Sequence, residues 1–243
     1  MPNVLSRYAL WAVLSSMLII ASSIQPTAAQ YDADRSWQPG DHHVHSRRSI
    51  NYNWDTDPPT PIGATDADYP ILLNVTKARE YGLSWMVSTD HGGPRHSEFN
   101  LENAYPELLQ SRELVPEVLL YYGMEFDTPG ANHSSLIIPK VAGEDSMLFK
   151  IESRFAERDI YPEDPMSDTE ERMLEGLRYM RELPEPPLLF VNHPSRSADD
   201  LGVYGAVTPH ELRNWNDTAP EVFVGMEGAP GHQGRIRPDG TVR

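Results

Sequence analysis

Short apolar runs alternate with longer amphipathic segments along the chain beyond residue 30. Apolar runs of about four to eight residues are typical of buried strands. The predicted strands are Asp41–His45, Leu83–Ser88, Val118–Glu125, Ser134–Pro139, Leu188–Asn192 and Val222–Met226, and all but the first contain such a run. The amphipathic segments predict helices at Tyr69–Tyr81, Asn100–Glu113, Glu144–Ala156, Asp168–Glu182 and Pro209–Trp215. Strands that alternate with helices indicate parallel pairing in an α/β fold, either a barrel or a doubly wound sheet.

Local signals mark where some of these elements begin and end. Ser167 and Glu170 predict a capping box at the start of the helix that begins at Asp168. Gly82 directly follows the predicted helix Tyr69–Tyr81, where a glycine with a positive φ angle typically ends a helix. The segment Trp54–Ala67 is rich in Pro and Asp, so it predicts a loop that shapes a pocket.

The first 30 residues have the pattern of a secretory signal. Arg7 is the one charged side chain before Asp32, an apolar stretch follows from Tyr8 to about Ile24, and Thr27-Ala28-Ala29 supplies small residues. This pattern predicts a signal peptide over residues 1–29, cleaved after Ala29, and one domain over residues 30–243. We therefore expect a periplasmic or secreted protein with no stable membrane span after signal cleavage.

Composition and charge exclude several classes of function. The 243 residues include 20 Lys and Arg against 36 Asp and Glu, a formal net charge of −16. A field of that sign repels phosphate backbones, so nucleic acid is not an expected partner. The chain has no cysteine, which excludes a disulfide framework, a thiolate zinc site and a cysteine nucleophile.

Histidines and carboxylates lie at the ends of the predicted strands. In Asp41-His42-His43-Val44-His45, strand alternation places Asp41, His43 and His45 on one face and His42 and Val44 on the other. Two imidazoles on one face can bind one divalent ion, and Asp41 can orient a ligand from behind. A polar strand end with surface histidines is the alternative interpretation of this short motif.

The same combination recurs after the later strands. Asp90-His91 follows the second strand, Glu125 ends the third, His133 follows it, and His193 follows the fifth. Glu227 repeats the arrangement after the last strand. The C-terminal ends of parallel strands meet at one edge of a sheet, where ligands gather. Imidazoles and carboxylates together suit Zn²⁺, Mn²⁺ or Fe²⁺, so we predict a multinuclear metal site there.

These motifs, in this order, resemble the PHP family, named for polymerase and histidinol phosphatase. The resemblance covers about residues 38–230 and rests on four motifs: Asp41-His42-His43-Val44-His45-Ser46, Thr89-Asp90-His91, Gly123-Met124-Glu125 with His133, and Asn192-His193-Pro194. It implies a distorted (β/α)7 barrel with two or three divalent metal ions in its mouth. It also implies a metal-dependent phosphoesterase that acts on a small-molecule phosphoester.

The resemblance also implies a role for each matching residue. The implied metal ligands are His43 and His45 for the first metal, Glu125 as a bridge, His133 and His193 for the second metal, and His91 for the third. Asp41 and Asp90 would support these ligands from behind. Another third-site ligand is expected near Asn51, with Asp55 and Asp57 as alternatives. Arg196 would either bind the phosphate or form an ordinary surface ion pair.

One family motif is missing from the sequence. The family ends with an Asp-x-His after its last strand, and no such triplet follows Glu227. We therefore expect a PHP-type barrel that is C-terminally incomplete, without its last strand and final motif. A degenerate, non-catalytic metal-binding protein and an amidohydrolase-type barrel hydrolase stay open as alternatives.

Overall fold

A six-stranded sheet organises the residues that the computed structural model describes, namely 36–64, 67–162, 164–194 and 204–227. The chain divides into two compact units, Met1–Trp37 and Gln38–Arg243, and the sheet lies in the second. The predicted signal peptide and its cleavage site lie outside the described residues. None of the helices in the described ranges is long and apolar enough to cross a membrane.

Eight strands are present in the described residues. They are β1 (Gly40–Val44), β2 (Ile50–Asn53), β3 (Thr60–Ala64), β4 (Trp85–Ser88), β5 (Leu119–Asp127), β6 (His133–Ile138), β7 (Leu188–Val191) and β8 (Phe223–Met226). The main sheet has the order β1-β4-β5-β6-β7-β8 and curls into a half-barrel. Its six strands confirm the six predicted from the sequence, with ends that shift by at most two residues.

Strand direction in the main sheet places several chain segments at one edge. β1, β4 and β5 are parallel, β7 and β8 are parallel, and β6 pairs antiparallel with both β5 and β7. The C-terminal ends of five strands therefore share an edge with the beginning of β6. This reversal is why His133, the first residue of β6, pairs with Asp127, the last residue of β5.

The antiparallel strand β6 departs from the predicted parallel pairing. Only residues 128–132 separate β5 from β6. A parallel connection needs a crossover of about a dozen residues or more, whereas a short loop suffices for a hairpin. The length of the connection therefore determines the direction of β6.

A two-stranded hairpin replaces part of the loop predicted at Trp54–Ala67. β2 pairs antiparallel with β3, and its Ile50 and Tyr52 side chains are buried. The apolar alternation covers only four residues, and Pro61 and Gly63 interrupt β3. These residues are depleted in strands, so the sequence pattern favoured a loop.

Seven helical segments accompany the sheet in the described residues. They are α1 (Ile71–Glu80), α2 (His96–Phe99), a π-helical turn (Asn100–Ala104), α3 (Tyr105–Leu114), α4 (Glu144–Phe155), α5 (Glu170–Arg181) and α6 (Pro209–Thr218). The predicted helix at Asn100–Glu113 is thus longer, because helical backbone begins at His96. Gly82 has a φ angle of +80° directly after the end of α1, as its position in the sequence predicts.

The predicted capping box at Ser167 and Glu170 is wrong. Thr169 is the N-cap of α5, and its side chain accepts a hydrogen bond from the backbone N–H of Arg172. The Ser167 hydroxyl instead donates to the carbonyls of Glu157 and Asp164. These hydrogen bonds stabilise the loop that precedes α5. A capping box does form at α6, where the side chains of Thr208 and Glu211 cap each other's backbone N–H groups.

The apolar core lies on one face of the sheet. Alternation along β5 directs Leu120, Tyr122 and Met124 to this face, whereas Glu125 points to the opposite face. Helical side chains cover the core face and are fully buried there: Val75, Leu108, Leu148, Ile151, Leu177 and Trp215. The helices thereby support one face and leave the other to polar side chains.

Candidate metal centre

The side chain of Glu125 lies at the centre of five imidazole rings. Its carboxylate is buried, with only 2% of the side chain exposed. Each of five histidines places a ring nitrogen within 3.4 Å of one of its oxygens: His43, His45, His91, His133 and His193. Burial by itself would raise the pKa of Glu125, but hydrogen bonds from these rings hold it well below its usual range. Glu125 is therefore an ionised carboxylate in a buried setting.

The first of two possible metal groups consists of His43, His45 and Glu125. The Nε2 atoms of His43 and His45 are 3.1 Å apart, and they lie 3.3 and 3.4 Å from the two Glu125 oxygens. Metal–ligand bonds of about 2.0–2.2 Å at tetrahedral angles give ligand separations of about 3.3–3.6 Å. The donor set and its spacing therefore fit a divalent transition metal.

An irregularity in β1 corrects the predicted alternation of side chains. The register moves from Asp41↔Met86 to Val44↔Ser88, so β1 has one more residue than β4 over this interval. Such a bulge re-aims side chains. As a result, His42 is on the same face as Glu125, 3.2 Å from the hydroxyl of Ser135, and it does not share a face with Val44 in the core.

The second group consists of His91, Glu125 and His133. The Nδ1 atom of His91 lies 2.9 Å from Oε2 of Glu125, and Nδ1 of His133 lies 3.3 Å from Oε1. A bridge between His91 and Glu125 extends the pairing of β4 with β5, and His133 begins β6. The two groups share Glu125, so one carboxylate can bridge two cations.

His193 approaches the same carboxylate from the end of β7. Its Nε2 atom lies 3.1 Å from Oε1 of Glu125, and its backbone has a φ angle of +31°. A positive φ angle in a residue other than glycine costs free energy, so the surroundings must hold it. A 2.6 Å hydrogen bond from the His193 N–H to the carboxylate of Glu227 does so.

Ser49 connects three of the motif residues behind the rings. Its hydroxyl lies 3.1 Å from Nδ1 of His45, accepts from the backbone N–H of His91 at 3.1 Å, and donates to Asp90 at 3.1 Å. With its hydroxyl proton given to Asp90, the Ser49 oxygen can accept Nδ1–H of His45. This tautomer leaves Nε2 of His45 available to a metal ion.

Asp90 and Glu227 support the centre as carboxylates. Asp90 is buried and accepts hydrogen bonds from the N–H and hydroxyl of Ser46, but burial still raises its pKa. Glu227 lies 3.1 Å from Nδ1 of His43 and directs Nε2 of that ring towards Glu125. Burial raises the pKa of Glu227, but its hydrogen bonds with His193 and His43 outweigh this and lower it.

Asp127 and Arg158 lie beside His133. Nε2 of His133 is 3.5 Å from Oδ1 of Asp127, and the Arg158 guanidinium donates to the same oxygen. Burial would lower the pKa of His133, but Asp127 and Glu125 raise it to about 9. The Nδ1 atom of His133 is buried and lies 3.3 Å from Oε1 of Glu125 without the geometry of a good hydrogen bond, as expected of an atom that could face a cation.

The remaining predicted residues take other positions. Asp41 accepts from the backbone N–H of His43 at 3.0 Å, and the contact described involves no ring nitrogen. Asn51 accepts from the N–H of Tyr52, and Asp57 accepts from the hydroxyl of Tyr161. The two metal groups found in the described ranges do not include Asn51, Asp55 or Asp57. Arg196 lies outside the described residues.

Four residues of this region had no assigned role in the sequence analysis. Asp127 lies two residues after Glu125 on the same face of β5, and Glu227 directly follows β8, so the sequence position of each pointed to this edge of the sheet. Ser49 and Arg158 lie in segments without a distinguishing motif. Only the tertiary structure brings these two to the histidines.

Comparisons with known proteins give little further information. No family model matches the chain, and no curated protein matches it. A solved structure from Bifidobacterium adolescentis, provisionally assigned as a metal-dependent phosphoesterase, is similar over 79% of this chain and 78% of its own. The two share 12% sequence identity with a TM-score of 0.40.

Proposed function

We propose that the chain is a metal-dependent hydrolase that cleaves small-molecule phosphoesters with a di- or trinuclear site. One observation carries the proposal: the groups His43–His45–Glu125 and His91–Glu125–His133 share a single buried carboxylate. Two cations held a few ångströms apart suit in-line displacement at phosphorus, because both the attacking and the leaving oxygen need stabilisation. Zn²⁺, Mn²⁺ and Fe²⁺ are the candidates for this donor set.

Each residue of the site would have a role that follows from its position. Bound divalent ions would lower the pKa of a coordinated water and polarise the phosphoryl oxygens. Glu125 would bridge the two ions, and Asn192 would fix its Oε1 atom through the 3.1 Å hydrogen bond that it donates. Ser49 and Glu227 would hold the His45 and His43 rings in the tautomers that bind metal.

The proposal includes a family, a fold and a cellular location. The order of motifs supports a PHP-type barrel of the distorted (β/α)7 kind, of which the six-stranded half-barrel is the part described. The pattern of residues 1–29 supports export to the periplasm or the medium. The charge of −16 argues against nucleic acid as a partner, and a small anionic substrate would need local cations at the site.

Metal counting together with a substrate screen tests the proposal. We expect two or three transition-metal ions per chain by elemental mass spectrometry after purification without chelator, and hydrolysis of p-nitrophenyl phosphate. Glu125→Gln should lose metal from both groups, and His43→Ala should lose it chiefly from the first. His210→Ala is the matched control, because His210 is an exposed residue on α6 that contacts Asn214.

Each alternative predicts a different result. A non-catalytic metal-binding protein would retain the metals and hydrolyse none of the substrates tested. An amidohydrolase-type enzyme would cleave N-acyl or cyclic amide substrates and leave phosphoesters intact. At most one metal per chain, unchanged in Glu125→Gln, would refute the shared site itself.

A further inference from the structure

We propose that Arg158 binds the phosphoryl group of the substrate and makes the site selective for phosphomonoesters. This inference rests on the proposed function and adds a residue and a substrate class to it. Arg158 lies in the loop that follows α4, at the same edge of the sheet as the start of β6. It had no predicted role, and it does not belong to either metal group.

The position of the guanidinium is the first argument. Its Nη2 atom contacts Oδ1 of Asp127 and lies 3.5 Å from Nε2 of His133, a member of the second metal group. The side chain is 40% exposed, whereas the Asp127 side chain is 1% exposed. The cation is therefore anchored on a buried carboxylate at one end and accessible at the other.

The unused donors of Arg158 are the second argument. Its five N–H groups can bind two oxygens of one phosphoryl group side by side. Among the described residues, neither Nε nor Nη1 of Arg158 has a hydrogen-bond partner. Most other arginines with described contacts pair with carboxylates away from the centre, as Arg79 does with Glu117. Arg158 is the described arginine that contacts a candidate metal ligand.

Charge supplies the third argument. A chain with a net charge of −16 repels anions at long range, so an anionic substrate needs local cations. The phosphoryl group of a monoester has three terminal oxygens, and that of a diester has two. If the two metal groups engage two oxygens, a monoester would offer the Arg158 fork one unshared oxygen beside a shared one, whereas a diester would offer it no unshared oxygen. Loss of Arg158 should therefore affect monoesters more than diesters.

An ordinary salt bridge is the competing role for Arg158. In that case the side chain would only neutralise Asp127, and through it orient His133. Removal of the guanidinium would then disturb metal binding and leave anion affinity unaffected at full metal occupancy. Arg158→Lys keeps a positive charge beside Asp127 but lacks the planar fork, so it separates the two roles.

The test measures binding of inorganic phosphate to the metal-loaded full chain by titration calorimetry. The variants are Arg158→Ala and Arg158→Lys, with Arg79→Ala as an exposed arginine control, and metals per chain are counted for each. We expect phosphate affinity to fall about 10- to 100-fold in Arg158→Ala, less in Arg158→Lys, and not at all in Arg79→Ala. The ratio of kcat/KM for p-nitrophenyl phosphate over bis(p-nitrophenyl) phosphate should fall as well.

Other results overturn the inference. Phosphate affinity within twofold of the wild-type value in both Arg158 variants, at full metal occupancy, refutes it. If Arg158→Ala loses metal, Arg158→Lys decides: weaker phosphate binding with metals retained supports the inference, and unchanged binding or lost metals refutes it. Phosphate binding that depends on Arg158 without any phosphoester hydrolysis would instead refute the proposed function and leave the anion site standing.

Discussion

Glu125 is a buried anion that the chain stabilises with imidazoles from five different sequence positions. A buried carboxylate needs compensating positive charge, which protons on the rings or bound metal ions can supply. Glu125 and Asp127 raise the pKa of His133 to about 9, and Glu125 and Glu227 raise that of His43, against the effect of burial. Protons and metal ions therefore compete for the same ring nitrogens, and metal affinity should increase with pH.

We expect that removing the single hydroxyl of Ser49 weakens metal binding. Ser49→Ala removes the acceptor for Nδ1–H of His45 and the acceptor for the N–H of His91. Loss of such supporting contacts typically weakens metal binding about 10- to 100-fold. A competition titration of zinc against a chromophoric chelator measures the change. Ser153→Ala, which removes a hydroxyl from α4, should bind zinc as the wild type does.

Glu157 gives a pH-dependent prediction. Burial, and then the nearby Asp168 and Asp127, raise its pKa from 4.5 to about 7. The folded protein thus binds more protons than the unfolded chain between these values, so stability falls as pH rises through this window. Glu157→Gln removes this loss, and its Tm should exceed that of the wild type at pH 8 more than at pH 5.

The measurement is thermal unfolding of the metal-free protein in chelator at pH 5, 6, 7 and 8. Glu102→Gln serves as the control, because Glu102 is exposed. A difference in Tm between Glu157→Gln and the wild type that stays constant over this pH range would contradict the raised pKa of Glu157.

Two irregular elements determine the geometry of the centre. The bulge in β1 brings His42 to the face of Glu125, and the reversal of β6 brings His133 to the edge where the parallel strands end. Neither feature follows from strand periodicity, because a bulge adds one residue locally and a hairpin depends on connection length. The elements were predictable, but their pairing at this edge was not.

The N-terminus of helix α6 allows a stability prediction at the scale of one element. Thr208→Ala removes the side chain that accepts from the N–H of Glu211 at the N-terminus of α6. Loss of such a cap costs about 1 kcal/mol of unfolding free energy, within a range of about 0.5–2 kcal/mol. Urea denaturation measures it.

A threonine inside a helix provides the comparison for Thr208. The Thr76 hydroxyl donates to the carbonyl of Leu72 within α1, so Thr76→Ala should be neutral or slightly stabilising. Equal destabilisation by the two substitutions would show that the cap contributes nothing specific.

Metal binding should contribute to the stability of the whole molecule, since the ligands come from several strands of the sheet. A ligand present at 100 times its Kd stabilises the folded state by about 2.7 kcal/mol. For a domain of this size, each kcal/mol corresponds to about 2–4 °C in Tm. We therefore expect EDTA to lower the Tm by about 5–10 °C.

The chelator experiment has an internal control. His43→Ala, which lacks a ligand of the first group, should respond less to EDTA than the wild type. An identical decrease in both proteins, or none in the wild type, would contradict metal-linked stability.

Much of this architecture could be predicted from local sequence. Five of the six strands of the main sheet have an apolar run that identified them, β1 was predicted at its Asp-His-His-Val-His motif, and parallel pairing predicted that the strand ends meet. The hairpin of β2 and β3 was missed because its alternation is short and Pro61 interrupts it. The N-cap of α5 was misplaced by two residues because Ser167 and Thr169 are both good caps, and the loop contacts of Ser167 decided between them.

The sequence by itself determined the chemistry of the centre, because the residue types at strand ends limit it to imidazole and carboxylate ligands. The tertiary structure decided which atoms meet. His43 and Glu227 are 184 positions apart, yet their side chains are in hydrogen-bond contact. Such contacts depend on how the strands pair and curl, and on where a bulge or a reversal falls. Local patterns carry no information on these features, and this is why Ser49 and Arg158 gained their roles only in the folded chain.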